Sequence, residues 1–307
     1  MQHIKHYSLG LLVVLALLLG ALISAQPALA MTGEGTSANP YEIATADDLR
    51  AFASLVNGTD NKTAQPNAWA VLAADIDLNP GASYDPTTDQ WTDKDGSAVE
   101  EGSLNEWTPI GSFNNTFTGT FDGNEKTISG LYINSTDRNE TTGLFGYVGS
   151  GGKVTRLTVE GAVTVSADVG GVVGNNKGTV SDCINKVKVT ASGNSALIGG
   201  VVGINNGGTV SGCTNTGTVT ATGSNAVAGG VMGVNLNTVN SCYNTGAVTG
   251  TTAGGVVGAN SYGSTSGTVN GCYFLVGTAA SGVGDNSGTI TNVGSKTFTQ
   301  FNSGEVT

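Results

Sequence analysis

The sequence predicts an all-β fold, a right-handed parallel β-helix (β-solenoid) of about seven coils with a short N-terminal capping helix. Glycine accounts for 48 of 307 residues, and β-branched residues recur between the glycines, as is typical of many short strands joined by tight turns. A glycine-rich string also returns every 25 to 30 residues, which indicates a repeated structural unit. A hydrophobic content of 38% argues against disorder, and the absence of glycine at every third position excludes collagen.

The repeat has three recognisable columns. The strings GLFG, GGVVG, GGVVG, GGVMG and GGVVG, and a final GVG, end at Gly146, Gly174, Gly203, Gly233, Gly258 and Gly284. A β-branched residue follows each string, at Val154, Val180, Val210, Val239, Val269 and Ile290, and Ile128 precedes the first one. Three residues later come Leu131, Leu157, Cys183, Cys213, Cys242, Cys272 and Val293. Equivalent residues of stacked units would lie about 4.8 Å apart, so seven coils predict a rod of roughly 34 Å with one continuous core.

This pattern resembles the bacterial GLUG-motif repeat proteins. The resemblance rests on GGVVG-x-N, GTV-x-x-C-x-N and G-x-VT, and on the preceding segment from Trp107 through TFTGTFDGNEKTISGLYI to Ile133. It extends from Asn39 to about Thr307, and we assign residues 143–307 to the repeats. It implies a secreted or surface-attached protein, since similar repeats accompany adhesin-like proteins and some immunoglobulin A proteases.

Residues 1–30 are interpreted as a secretory signal peptide. An apolar run over residues 11–23 follows two histidines and a lysine, and Ala28-Leu29-Ala30 provides a small-residue cleavage site. An uncleaved membrane anchor is the alternative. The mature chain then contains no histidine, since His3 and His6 are the only two, which excludes a Ser-His-Asp triad and a His-ligated zinc site. We expect a secreted or cell-surface location.

The acidic residues are concentrated in the first half of the chain. Residues 31–142 hold 18 acids and 5 bases, whereas residues 143–307 hold 5 acids and 6 bases. Since no basic stripe is present to neutralise phosphates, we predict no nucleic-acid partner. Contact with a membrane is expected only through the signal segment.

Residues 31–67 are predicted to form an N-terminal cap of one strand and one helix. Thr45 and Asp48 form a capping box at the start of the helix, and Gly58 ends it. One apolar stripe along the helix consists of Leu49, Phe52, Leu55 and Val56. Such a cap protects the open strand edges at the end of a solenoid. Residues 68–142 are assigned to lead-in coils, beginning with a strand in residues 68–78 and interrupted by an acidic insertion.

The acidic insertion supplies the candidate ligand-binding residues Trp91, Asp89, Asp93 and Asp95. The plain interpretation, which we favour, is a solvated surface loop, because the segment lacks a periodic apolar pattern. A functional interpretation is a lateral loop that binds calcium through carboxylates or stacks a sugar on tryptophan. Asp93-Lys94-Asp95-Gly96 is only a fragment of a calcium loop, with Trp91 where another ligand is required. No other cofactor or metal site, and no catalytic residue, is predicted.

Two polar columns have structural interpretations. The four cysteines are even in number, which allows disulfides, but coils without cysteine carry Leu131, Leu157 and Val293 at the same register, which favours a buried thiol column. Asparagines recur after the glycine strings at 176, 205, 235, 260 and 286, and after the cysteines at 185, 215 and 244. We predict hydrogen-bonded amide ladders rather than a polar face that binds sugar or ice.

The expected function is that of a non-catalytic binding, adhesion or structural module, not of an enzyme. A host surface glycan or protein, or a bacterial envelope component, is the expected partner. The alternatives are a carbohydrate-active β-helix enzyme, with paired carboxylates around Asp75, Asp77 and Asp122, or a fragment of a larger exported protease or adhesin. Phe298 and Phe301 could cover the last coil, and the end at Thr307, without an anchor motif, leaves open that the chain is truncated.

Overall fold

Short parallel strands stack in register and build one β-solenoid. The computed structural model describes residues 31–137 and 141–303, so the predicted signal peptide lies outside the described residues. Each repeat coil contributes five strand positions, here named columns A to E in chain order. Nine strands follow one another in column C, from Tyr41–Ile43 to Thr289–Thr291, which makes about eight turns and a rise of roughly 38 Å. The predicted fold class is therefore confirmed, with one more turn than expected because the ladder already begins in the N-terminal cap.

The strands of each column are as follows. Column A contains Val169–Gly170, Leu197–Gly199, Val227–Gly229 and Thr252–Gly254. Column B contains Phe145–Val148, Val173–Asn176, Val202–Asn205, Met232–Asn235, Val257–Ala259 and Val283–Asp285. Column C contains Tyr41–Ile43, Ala70–Leu72, Thr179–Ser181, Thr209–Ser211, Thr238–Asn240, Thr268–Asn270 and Thr289–Thr291. Column D contains Ile76–Asp77, Ile184–Asn185, Thr214–Asn215, Tyr243–Asn244, Tyr273–Leu275 and Gly294–Lys296. Column E contains Lys188–Ala191, Val219–Ala221 and Val248–Thr249.

The remaining elements lie outside this pattern. Two long strands, Thr120–Ser135 and Lys153–Val165, run through columns C, D and E without a break. Two antiparallel hairpins project from the coils, Ser83–Asp85 with Gln90–Thr92 and Ser261–Tyr262 with Thr265–Ser266. The helices are Ala46–Asn57 and Phe298–Asn302, with a 3₁₀ turn at Glu101–Ser103.

The core is a stack of like side chains, as the repeat predicts. Column C carries five fully buried valines, one above another: Val154, Val180, Val210, Val239 and Val269. The four cysteines are also buried and carry free thiols, which confirms the predicted thiol column. Burial raises the pKa of the Cys242 thiol, so this side chain is protonated at neutral pH.

Two asparagine ladders run inside the coils and confirm the predicted amide stacking. In column B, the Nδ2 of Asn176 donates to the Oδ1 of Asn205 at 2.9 Å, and the pattern continues through Asn235 and Asn260 to Asn286. In column D, Asn185, Asn215 and Asn244 are joined in the same way at 2.8 and 2.7 Å. Each amide of this second ladder also donates to the carbonyl two residues later, so the ladder closes the turns as well as linking coils.

The paired glycines of each GGVVG string are required by close backbone contacts. A Cβ at Gly199 would lie 1.9 Å from the carbonyl oxygen of Val202. A Cβ at Gly200 would lie 2.2 Å from the carbonyl oxygen of Gly230 and 2.4 Å from the Asn215 side chain. The glycines therefore let column A approach the asparagine ladder of column D, which explains why the two motifs recur together.

The N-terminal helix has the predicted capping. Thr45 accepts from the N–H of Asp48, the Asp48 carboxylate accepts from the N–H of Thr45, and Gly58 ends the helix with φ of 69°. Phe52 is fully buried against Phe117 and Phe121, with ring centroids 6.1 and 5.8 Å apart. The helix thus packs on an aromatic cluster at the first coils.

The C-terminal segment differs from the expectation. Residues 298–302 form a short helix, in which Thr297 and Gln300 make a capping box that the sequence analysis did not identify. The Phe301 ring packs edge-on against Tyr243, at 6.2 Å between centroids, which places it on the outside of a coil. Phe298 remains 68% exposed. The two phenylalanines therefore do not bury themselves over the end of the last coil.

Candidate functional site

The acidic insertion folds as a hairpin rather than as a solvated loop. Ser83–Asp85 pairs antiparallel with Gln90–Thr92, and this register places Tyr84 opposite Trp91. Asp89 has a φ of 57°, in the left-handed region that tight hairpin turns use. All four predicted residues thus lie on this hairpin or directly after it.

Trp91 attaches the hairpin to the solenoid. Its side chain is only 3% exposed, and its ring meets Tyr84 and Tyr132 edge-on, each at 5.8 Å between centroids. Tyr132 belongs to the long strand through columns C to E, so the indole joins the hairpin to the outer face of column E. A ring buried on both sides packs as a core residue, and no face of it is open for stacking on a sugar.

Asp89 makes the second attachment. Its carboxylate accepts hydrogen bonds from the Lys188 ammonium and the Tyr84 hydroxyl. The Lys188 hydrogen bond, followed by the Tyr84 hydrogen bond, lowers the pKa of Asp89. Burial, followed by the hydrogen bond to Asp89, raises the pKa of Tyr84. Asp89 therefore links the hairpin to column E through an ion pair.

Asp93 and Asp95 are not brought together with Asp89. The Oδ1 of Asp93 accepts from the N–H groups of Asp95 and Ser97, both at 2.9 Å, and so closes its own turn. Asp95 is exposed. Within residues 31–137 and 141–303, no three His, Cys, Asp or Glu side chains converge as metal ligands would. The structure thus gives the alternative interpretation, a calcium-binding loop, no converging carboxylates.

The carboxylates considered for catalysis are used in local structure. Asp75 accepts from the N–H of Thr127 at 2.8 Å, and Asp77 accepts from the N–H of Asn79 at 3.0 Å. Asp122 forms an ion pair with Arg156. Each side chain therefore has a partner in a turn or on the neighbouring rung.

Asp168 is a half-buried carboxyl that sequence reasoning did not single out. Burial raises its pKa, and its Oδ1 accepts from the N–H of Leu197 at 2.8 Å. This residue precedes the first strand of column A, at the register that Leu197 and Val227 occupy in the next two coils. The single backbone contact shows a structural use for this side chain.

A cleft that the sequence did not indicate lies at the N-terminal end of column B. It has a volume of about 420 Å³, within the range of small-ligand sites, and Phe113, Tyr147, Asp137 and Pro109 are among its lining residues. Phe113 is 78% exposed, and its ring meets Tyr147 edge-on at 5.9 Å between centroids. An exposed aromatic ring on the rim of a cleft is a ready contact for a flat apolar surface.

The cleft is positioned by the end of the N-terminal helix. Asn57, the last helical residue, donates from Nδ2 to the carbonyl of Pro109 at 2.9 Å and accepts at Oδ1 from the N–H of Gly111 at 2.8 Å. Asn115 donates to the Asn57 carbonyl at 2.8 Å. These bonds hold the loop that presents Phe113. A phenylalanine between polar residues in SFNNT is the one signal that could have pointed to this site.

The outward face of column B continues from this cleft along the coils. One register of column B is occupied on successive rungs by Tyr147, Asn175, Ile204 and Val234. The first three of these side chains are half-buried. We call these four side chains the outer strip. Val234 is buried where the hairpin of residues 261–266 lies against its strand, and Tyr262 on that hairpin is 66% exposed. The strip is therefore bounded by one exposed aromatic side chain at each end.

Comparisons with known proteins show partial similarity to much longer chains. Halomucin of Haloquadratum walsbyi is 34% identical over 176 residues, which cover 56% of this chain and 2% of halomucin. A protein of Evansella cellulosilytica named "Putative Gly-rich membrane protein" is 36% identical over 160 residues, which cover 49% of this chain and 15% of that protein. No family model matches the chain.

A solved structure from a bacterium has the same fold. The crystal structure of a protein from Bacteroides ovatus, named as a "putative immunoglobulin A1 protease", superposes with a TM-score of 0.53 over 89% of this chain and 88% of that chain. Sequence identity is 16%, so the likeness concerns the fold alone. Among the residues that the structure describes, no helix has the length and apolarity needed to span a bilayer. The chain is a parallel β-solenoid that is similar in sequence to small parts of two longer proteins.

Proposed function

We propose that this chain is a non-catalytic, GLUG-type binding module of an exported or cell-surface protein. Its ligand is a glycan outside the cell, carried by a host surface or by the bacterial envelope. The observation that carries the proposal is the Phe113 ring, 78% exposed on the rim of a 420 Å³ cleft and held in place by a hydrogen-bonded loop. Rigid presentation of an exposed aromatic side chain is a general feature of binding surfaces.

Export is supported from two directions. Residues 1–30 carry the apolar run and small-residue site of a signal peptide, and one sequence relative has "membrane protein" in its name. The GGVVG, GTV-x-x-C-x-N and G-x-VT strings support the GLUG assignment. The local roles of Asp75, Asp77 and Asp122 favour binding over glycoside cleavage, because that reaction requires two opposed carboxylates around one bond.

A glycan and matrix-protein binding screen tests the proposal. The full chain is screened with and without calcium, beside Phe113→Ala, and each bound glycan is assayed for new reducing ends. Phe298→Ala is the matched control, since Phe298 is a 68% exposed aromatic on the C-terminal helix. We expect saturable glycan binding that Phe113→Ala weakens about tenfold, about 1.4 kcal/mol, and that Phe298→Ala leaves unchanged.

Three results would contradict the proposal. Cleavage of the bound glycan would make the chain an enzyme. Loss of binding in Trp91→Ala but not in Phe113→Ala would return the site to the acidic hairpin. Binding to a matrix protein and to no glycan would replace the ligand class.

A further inference from the structure

The exterior of the later coils is free of charge. Residues 189–284 contain no Asp, Glu, Lys, Arg or His. In columns C and E of these coils the outward side chains are mostly threonine, serine and asparagine, for example Thr209, Thr220 and Asn240, which are half-buried in their strands. The rest of the chain concentrates its charge at the N-terminal region. A charged polymer would therefore find no opposite charge along these coils, which include Ile204 and Val234 of the outer strip. Two charged residues, Asp137 and Lys177, lie nearer to the Phe113 end of the strip.

The outer strip offers a floor on which a linear ligand can lie. From Tyr147 to Val234 it spans three rungs, roughly 14 Å. Its middle residues, Asn175 and Ile204, provide an amide and an apolar surface, and the exposed side chains of Lys177 and Asn206 flank them on the neighbouring register. Phe113 stands at one end and Tyr262 at the other.

We propose that an uncharged polysaccharide lies along the outer strip, from the Phe113 cleft to the Tyr262 hairpin. This inference rests on the proposed glycan-binding function and specifies its ligand class and its second contact. A hexose combines an apolar CH face with a ring of hydroxyls. The two aromatic side chains meet the apolar faces, and the amides of Asn175 and Asn206 pair with hydroxyl groups. One rung of the solenoid is about as long as one hexose unit, so successive sugars meet equivalent positions.

Titrations with matched glycans test the ligand class. The probes are hexamers of uncharged gluco-, xylo- and manno-oligosaccharides beside hexamers of oligogalacturonate and hyaluronan, each at low and high salt. We expect an uncharged hexamer to bind and its affinity to change less than about twofold with salt, because the ligand carries no charge for salt to screen. Tighter binding of an anionic hexamer that weakens steeply with salt would overturn the ligand class but leave the glycan-binding function in place.

Variants test the path. Phe113→Ala and Tyr262→Ala are each expected to weaken binding about tenfold, and the pair about a hundredfold, because distant contacts contribute additively. Ile204→Arg should abolish detectable binding by placing a desolvated charge under the ligand. Thr209→Arg is the matched control in the same coil, half-buried on column C, and should bind normally.

The outcomes separate this inference from the proposed function. If Phe113→Ala removes binding while Tyr262→Ala and Ile204→Arg do not, the cleft binds glycan and the strip does not. If no glycan binds at all, both proposals fail. If light scattering shows a dimer that Ile204→Arg dissociates, the strip is an interface between two copies and the glycan path is wrong.

Discussion

The N-terminal region, before residue 143, and the repeat coils, from residue 143 to residue 296, share one ladder but differ in what stabilises them. In the repeats most inward side chains stack on copies of themselves, as Asn205 does on Asn176 and Asn235. In the N-terminal region the contacts are made once, as between Phe52 and Phe117 or between Trp91 and Tyr132. In the repeats, one substitution is therefore expected to destabilise several neighbouring coils. In the N-terminal region, the loss of a contact that occurs once is expected to destabilise only the segment that makes it.

The largest effect is expected from a charge in the shared core. Val210 is fully buried between Val180 and Val239, so Val210→Asp would place an unpaired carboxylate in the stack. We expect a loss of more than about 5 kcal/mol and cooperative unfolding of several coils. Thr209→Asp, one residue away and facing outward, is the control. Chemical denaturation with urea measures both, and a Val210→Asp chain as stable as Thr209→Asp would contradict the continuous core.

The next effect concerns the glycine that separates columns A and D. Gly200→Ala would put a methyl group 2.2 Å from the Gly230 carbonyl oxygen and 2.4 Å from Asn215. The Gly230 carbonyl belongs to the stacked backbone and Asn215 to the amide ladder, so the clash can be relieved only if adjacent coils shift. We therefore expect the free energy of unfolding to fall by about 3 kcal/mol. Gly294→Ala is the matched control, because no atom lies within 4 Å of its would-be Cβ. Equal melting temperatures for the two variants would refute the close-approach explanation.

Removing one rung of the amide ladder should have a smaller effect. Asn205→Ala removes a partner from both Asn176 and Asn235, which are fully buried. Each neighbour keeps a bond to its own turn, so we expect a loss of about 2 kcal/mol. Asn206→Ala, at the exposed position next in the chain, should change stability by less than about 0.5 kcal/mol. If the free energies of unfolding of Asn205→Ala and Asn206→Ala differ by less than about 0.5 kcal/mol, the ladder adds no stability beyond the backbone hydrogen bonds.

The same distinction explains which features could be predicted from sequence. A stacked position is recorded several times, so the valine column, the thiol column and both asparagine ladders are predictable from the period alone. The capping box at Thr45 and the stop at Gly58 are local signals, and these too are present in the helix. The turn count is one too low because Tyr41–Ile43 already pairs with Ala70–Leu72, before the periodic pattern starts.

The candidate site could not be predicted in the same way. Trp91 looks like a loop residue because its partners, Tyr84 and Tyr132, occur once and Tyr132 is distant in sequence. The exposure of Phe113 depends on how Asn57 holds its loop, a contact across more than fifty positions of the chain. The outer strip combines residues of unlike type at one register. None of these arrangements repeats, so the period carries no information about them.

Trp91→Ala tests the local character of the N-terminal contacts. The side chain is buried between Tyr84 and Tyr132, yet its loss should release only the hairpin from column E. We expect faster proteolysis within residues 83–92 and a change in global stability of about 1 kcal/mol or less, because the coils keep their own ladder. Thr88→Ala, in the exposed turn of the same hairpin, is the control. Global unfolding of Trp91→Ala would show that the hairpin is part of the cooperative unit.

The smallest effect is expected at the turn between columns C and D. Six successive coils have a left-handed residue there, with φ of 51° to 63°, at Arg156, Asp182, Gly212, Ser241, Gly271 and Asn292. Ser241→Gly removes the steric cost of a side chain in this conformation, about 1 kcal/mol, but adds flexibility to the unfolded chain. We therefore expect a gain of about 0.5 kcal/mol.

Gly271→Ala is the reverse change on the next rung. Its would-be Cβ has no neighbour nearer than 3.8 Å, so any loss reports backbone conformation rather than a clash. We expect a loss of about 1 kcal/mol, measured by thermal unfolding of the two variants side by side. If both changes shift stability in the same direction, the turn is not held in the left-handed conformation in solution. A gain for Ser241→Gly together with a loss for Gly271→Ala would show that the left-handed turn is more stable with glycine. Coils with another residue at this turn would then carry a small conformational cost, which the stacking of the repeats offsets.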